Sequence, residues 1–147
     1  LRAIHTSLQE YDVKDYTYDL IVSNPPFFVN SLLPPGHSKS MAKHTTTLSF
    51  TELFAACRLL TKPAGNFCII GPHDSLLRMR RHAALNGLCL SRKLEIIPVI
   101  GKKANRVLTE WSFTQHTEAT DKLPIRTPDG QYTDAYRQLT CDFYLAL

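Results

Sequence analysis

The chain has 147 residues, 44% of them apolar and 20% charged, with a net charge of +4 when histidine is neutral. That composition fits one ordinary globular domain and excludes a collagen-like or wholly disordered chain. No window approaches ~18 uninterrupted apolar residues, so no membrane-spanning helix is expected, and the opening residues lack the apolar run and cleavage site of a signal peptide.

Residues 1–8, with Leu1, Ala3, Ile4 and Leu8, read as a short strand. Tyr18-Asp19-Leu20-Ile21-Val22-Ser23 is a stronger one, short and β-branched as a strand buried on both faces should be. It stops at Asn24-Pro25-Pro26, because proline brings no backbone donor to a sheet. Residues 29–47, rich in proline and hydroxyl side chains, predict a long loop of the kind that carries function.

Ser49-Phe50-Thr51-Glu52 fits a capping box, and Phe50, Leu53, Phe54, Cys57 and Leu60 recur at helical spacing, so a helix follows and is expected to end at Pro63 and Gly65. Phe67-Cys68-Ile69-Ile70 is a second buried strand. Asp74 or Ser75 is then expected to cap a helix that stops at Asn86-Gly87. Segments 88–100 and 106–116 read as two strands joined through Gly101-Lys102-Lys103-Ala104-Asn105 as a hairpin. Tyr132, Tyr136, Leu139 and Phe143 form a last helical stripe, expected in the core.

This order of elements predicts an α/β architecture with a largely parallel sheet, in which ligands bind beyond the carboxyl ends of the strands. The cysteines Cys57, Cys68, Cys89 and Cys141 form no C-x-x-C pair, and each lies among apolar neighbours. They are read as buried free thiols of a protein in a reducing cytoplasm. His73, His82 and His116 have no ligand-like spacing, so no metal site is expected.

The chemistry is sought at Asn24-Pro25-Pro26-Phe27. A residue before proline is held extended, and each proline fixes the next backbone angle. The result is a stiff corner offering the Asn24 side-chain oxygen and the Pro25 carbonyl to the two hydrogens of a planar amine, with Phe27 able to stack on the ring that carries it. Accepting both hydrogens favours a pyramidal nitrogen whose lone pair is free to attack an electrophile. Losing one such preorganised group commonly costs ~10²–10³ in rate.

Asn-Pro-Pro-Phe after an apolar strand resembles motif IV of the class I S-adenosylmethionine-dependent methyltransferases that act on amino groups. Leu59-Leu60-Thr61-Lys62-Pro63-Ala64-Gly65 resembles the helix-to-strand turn of the same fold, with Ala64 in place of its first glycine. The doubled Phe27-Phe28 followed by Asn30-Ser31, then Ala42-Lys43-His44, and the ending Tyr132-Thr133-Asp134-Ala135-Tyr136-Arg137 … Asp142-Phe143-Tyr144-Leu145 narrow the resemblance. They point to the bacterial valine-tRNA adenine-N6-methyltransferases.

The resemblance implies a Rossmann-like sheet, S-adenosylmethionine as cofactor, tRNA as partner, and methyl transfer to the N6 amine of an adenine beside the anticodon. It makes Asn24, Pro25, Pro26 and Phe27 the catalytic corner, and Ser7, Leu8 and Asn24 the cofactor contacts. For Ser7 and Leu8 a plain strand end is the rival reading. Phe28 either frames the target base or packs under the loop. Lys43 and His44, with Lys39, either contact RNA phosphates or are ordinary solvated charge. The same two readings apply to Arg78 and Arg81 on the basic run Arg78-Met79-Arg80-Arg81-His82, and to Lys102, Lys103 and Arg106.

The family's G-x-G turn after the first strand is absent: Gly36, Gly65, Gly71, Gly87, Gly101 and Gly130 include no pair two residues apart. Residues 1–147 are therefore expected to be a single domain, the C-terminal portion of a methyltransferase domain without its cofactor-binding part. Its sheet should hold the family's strands 3 to 7, with an antiparallel hairpin at the C-terminal edge. The strand at 18–23 would then carry a raw edge, which invites self-association, and the missing cofactor-binding part predicts weak cofactor binding. Rival readings are a related methyltransferase acting on guanine N2 in ribosomal RNA or on a protein glutamine, and a non-catalytic RNA-binding or self-associating chain.

Overall fold

A computed structural model describes residues 3–11, 17–25 and 48–144. Its centre is a five-stranded sheet in the order β1-β2-β4-β3-β5. The strands are β1 (Tyr18–Ser23), β2 (Thr61–Pro72), β3 (Cys89–Val99), β4 (Arg106–Ser112) and β5 (Ala119–Arg126). β1 runs parallel to β2 and β5 parallel to β3, while β4 is antiparallel to both of its neighbours. β1 therefore forms one border of the sheet, and no strand pairs with its outer edge among the described residues.

Helix α1 (Phe50–Leu60) opens with the expected capping box: the Glu52 N–H donates to Ser49 Oγ at 3.2 Å and the Ser49 N–H donates to Glu52 Oε2 at 2.8 Å. Phe50, Leu53, Phe54, Cys57 and Leu60 are its buried stripe. Helix α2 (Leu76–Leu85) ends as the Asn86-Gly87 pair predicts. Gly87 takes a φ of 72°, and the Leu88 and Gly87 N–H groups return to the carbonyls of Ala83 and Ala84. That pairing satisfies two carbonyls the helix end would leave open.

Both helices cover one face of the sheet. There Phe54 meets Phe67 and Trp111 edge-on at centroid distances of 5.5 and 5.3 Å, and Ile69, Met79, Ala83 and Val107 close the core around them. Trp111 Nε1 donates to Thr109 Oγ1 at 2.9 Å, and that hydroxyl donates to the Ile69 carbonyl, so these two buried side chains are matched. No element among the described residues covers the opposite face, where Leu20, Val22 and Leu108 are 56%, 73% and 40% exposed.

The structure corrects several sequence expectations. Residues 3–7 form no strand; Leu8 begins a turn and packs against the core instead. Helix α1 stops at Leu60, and Pro63 and Gly65 lie inside β2, where the register jumps from Tyr18↔Thr61 to Leu20↔Asn66 and forces a bulge. Neither Asp74 nor Ser75 caps α2 through its side chain, because a 3-10 turn (His73–Ser75) runs straight into the helix.

β5 is an extra strand beyond the hairpin, so β3 is not the border; Pro124 is tolerated because β5 itself is an edge strand. Helix α3 (Asp134–Thr140) buries none of its residues, and Leu139 and Phe143 are 57% and 84% exposed, so the aromatic stripe is surface rather than core. All four cysteines are free, but only Cys57 is buried; Cys68 and Cys89 are half-buried and Cys141 is exposed. Burial pushes the Cys57 thiol up to about 12. No helix among the described residues is long and apolar enough to cross a membrane.

Candidate active site at the exit of the first strand

β1 ends at Ser23, and the chain leaves the carboxyl edge of the sheet through Asn24 and Pro25. Asn24 is exposed and Pro25 is buried, so the pyrrolidine ring is fixed in the protein while the amide faces outward. No described residue hydrogen-bonds the Asn24 side chain.

Asn24 sits at the rim of a concavity of about 380 Å³ on the uncovered face of the sheet. Val22, Ile70, Leu108 and Leu94 supply its apolar floor, one from each of four neighbouring strands. Among its polar groups are Arg92 and Glu110, whose charges lie 3.9 Å apart, and Asp121. Cys68 also lines it; burial, then the Glu110 carboxylate, raise the thiol and keep it protonated. Sequence reasoning did not find these lining residues, because they converge only through strand register. The one available signal was their alternation with the core positions Phe67, Ile69, Val107 and Thr109.

Ser7 and Leu8 do not join Asn24 in this concavity. Ser7 Oγ donates to Glu10 Oε2 at 2.9 Å within a local turn, and Leu8 faces the core. No glycine lines the concavity either. The described residues thus form no cradle for S-adenosylmethionine, since a nucleotide cofactor in such folds needs backbone approaching closely through a glycine-rich turn. Pro26, Phe27, Phe28, Lys39, Lys43 and His44 lie outside the described residues.

The basic run on α2 divides by contact. Met79 is core, and Arg80 pairs with Glu118. Arg78 lies 5.3 Å from the centre of the Phe50 ring, on which His82 also stacks at 6.1 Å. Arg78 and Arg81 are exposed and pair with no acid among the described residues, so their charge remains available to an anion. The described residues contain no cluster of three or more metal-binding side chains.

No family model matches the chain. Over 152 aligned residues, 99% of this chain, it is 35% identical to a tRNA1(Val) (adenine(37)-N6)-methyltransferase from Shewanella baltica, covering 63% of that protein. Proteins of the same name from Dyadobacter fermentans and Porphyromonas gingivalis are 38% and 37% identical over 96% and 86% of the chain, which covers 60% and 51% of them. The chain is homologous to these proteins, and it spans between about half and just under two thirds of their length. Among solved structures, a predicted O-methyltransferase from Agrobacterium tumefaciens shares the fold, with a TM-score of 0.59 at 16% identity over 96% of this chain and 58% of that one. The five-stranded mixed sheet with helices α1 and α2 on one face is accordingly the α/β fold of that structure.

Proposed function

We propose that this chain, a homologue of the tRNA1(Val) (adenine(37)-N6)-methyltransferases along nearly its whole length, is the part of such an enzyme that receives and orients the acceptor amine. The reaction is methylation of the N6 amine of an adenine in tRNA, in valine tRNA beside the anticodon. S-adenosylmethionine is the methyl donor of that reaction. The described residues do not hold it, so no step of its chemistry is assigned to them. Free thiols and an RNA substrate support a cytoplasmic protein.

One observation carries this reading: the Asn24 amide, with no hydrogen-bond partner among the described residues, stands exposed at the carboxyl edge of the sheet, on a corner anchored by buried Pro25. The target adenine must leave its stack, at a cost of a few kcal/mol. Phe27 offsets part of this by stacking on the base, worth roughly 1–3 kcal/mol. Asn24 Oδ1 and the Pro25 carbonyl each accept one N–H of the amine, and Pro26 stiffens the corner. Phe28, Lys43, His44, Arg78 and Arg81 frame the base or hold the RNA backbone. No strong base is needed, because the amine proton becomes acidic only once the nitrogen is alkylated.

The test is Asn24→Ala in the full-length protein that carries this chain, assayed by N6-methyladenine formation in tRNA. Turnover should fall by ~10²–10³ while tRNA affinity stays within a small factor. Turnover within about threefold of wild type removes Asn24 from the role given to it.

A second copy of the chain is the other partner we infer. β1 has no neighbour on its outer edge among the described residues, and its Leu20 and Val22 side chains face solvent. An open, apolar edge is a template for pairing with another strand.

A further inference from the structure

We infer that the tip of the β3–β4 hairpin, carrying Lys102, Lys103 and Arg106, is a preorganised clamp for the phosphate backbone of the RNA. The inference deepens the proposed tRNA reading and rests on it. All three side chains are exposed, and none lies within ion-pair distance of an acid among the described residues. The other basic residues of β3, and Lys122 on the neighbouring β5, are already used. Lys93 pairs with Glu95 and Glu118, and Lys122 with Glu95, all on the helix-covered side, while Arg92 faces Glu110 on the open side.

The tip is held from both flanks. Gly101, at a φ of 85°, turns the chain, and the Lys102 N–H donates to the Val99 carbonyl at 2.9 Å. The His73 N–H donates to the Asn105 carbonyl at 3.1 Å, tying the tip to the exit of β2. On the other side the Ile100 N–H donates to the Arg126 carbonyl at 2.8 Å, tying it to the end of β5. Cations fixed in this way lose little backbone freedom on binding, unlike those on a loose loop.

The position matters as much as the charge. Arg106 pairs with Pro72 at the carboxyl end of β2, the same sheet edge from which Asn24 emerges. Alternation along β4 sends Arg106 to the same face as Leu108, the face on which Asn24 borders the concavity. With ~4.8 Å between strands and ~3.3 Å per residue, Arg106 lies roughly 12 Å from Asn24, and the two lysines reach farther out. A base inserted at Asn24 therefore leaves its flanking phosphates within reach of the hairpin. The acids nearest in the chain, Glu95 and Glu110, are already engaged, Glu95 by His73, Lys93 and Lys122 and Glu110 by Arg92.

The experiment measures binding of a synthetic anticodon stem–loop RNA to this chain by fluorescence anisotropy across a salt series. It compares the wild type, the Lys102→Ala/Lys103→Ala/Arg106→Ala variant, and Arg58→Ala. Arg58 lies in the last turn of α1 and controls for charge at the opposite end of the sheet. Removing one cation that neutralises a phosphate lowers the slope of log affinity against log salt by about 0.7–0.9. The triple variant should thus reduce the slope by about 2 and low-salt affinity by about tenfold or more, with Arg58→Ala unchanged. RNA binding with an unaltered slope in the triple variant overturns the clamp and leaves the tRNA reading standing. Failure of the wild-type chain to bind the RNA even at low salt overturns both.

Discussion

Gly65 lies so close to β1 that a Cβ built on it would stand 2.7 Å from the Tyr18 carbonyl oxygen and 2.9 Å from that of Asp19. Both obstacles are backbone, so they cannot swing aside. This is the reason glycine follows Lys62-Pro63-Ala64 at the bulge, while Lys62 itself reaches across to Asp19 at 2.8 Å and clips the same junction. Gly65→Ala should cost roughly 1–3 kcal/mol, as overpacking does. In a chain of this size that lowers Tm by about 2–4 °C per kcal/mol. Gly87→Ala is the contrast: its Cβ would meet nothing, so only the positive φ is strained, at about 1–2 kcal/mol. Urea unfolding of the two variants measures the difference.

Phe54 is the centre of the core, since its ring meets both Phe67 and Trp111 edge-on. Phe54→Ala removes two aromatic neighbours' packing and leaves a cavity between α1 and the sheet. The expected destabilisation is about 3–5 kcal/mol, read as a lower denaturant midpoint. Phe54→Leu, which keeps most of the volume, should be clearly less destabilised.

The elements that sequence inspection located share a feature: their signals are local. The capping box of α1, the Asn86-Gly87 stop of α2 and the glycine turn of the hairpin each lie within a few residues. β5 was missed because Asp121, Lys122 and Pro124 break any strand pattern; its place depends on pairing with β3, which lies far away in the chain. The aromatic stripe after Tyr132 misled for the opposite reason. Its spacing is helical, but α3 has no second helix to bury it among the described residues, and Tyr132 instead stacks on Tyr136 and beneath Arg126. At the site, Asn24 and Pro25 could be singled out because proline constrains its own neighbours. The concavity beside them could not, because it is assembled by strand register.

Arg80 and Glu118 give the fold a dependence on acid. The Arg80 hydrogen bond is the main influence holding the Glu118 carboxyl below the usual carboxylate range; burial opposes it, and Lys93 adds a smaller pull in the same direction. A carboxyl lowered on folding contributes fully above its unfolded pKa of about 4.3 and loses that contribution as pH falls through the folded value. The stability gap between wild type and Glu118→Gln should therefore be widest near neutrality and close in the acid range. Chemical denaturation of both proteins from neutral pH downward tests this. A gap that stays constant with pH would mean the pair does not couple folding to protonation.

Leu20 and Val22 stand exposed on β1, whose outer backbone edge pairs with no strand among the described residues, the arrangement that edge strands in stable monomers avoid. If a second copy fills that edge, sedimentation velocity should show association that strengthens with concentration. Val22→Lys should suppress it, because a lysine on an edge strand is a device that disfavours pairing with another strand. The substitution is exposed and touches neither Phe54 nor Trp111, so folding should change by no more than about 0.5 kcal/mol. A wild-type chain that remains monomeric at the highest concentration measured, or a Val22→Lys variant that associates equally well, would remove the edge as the contact.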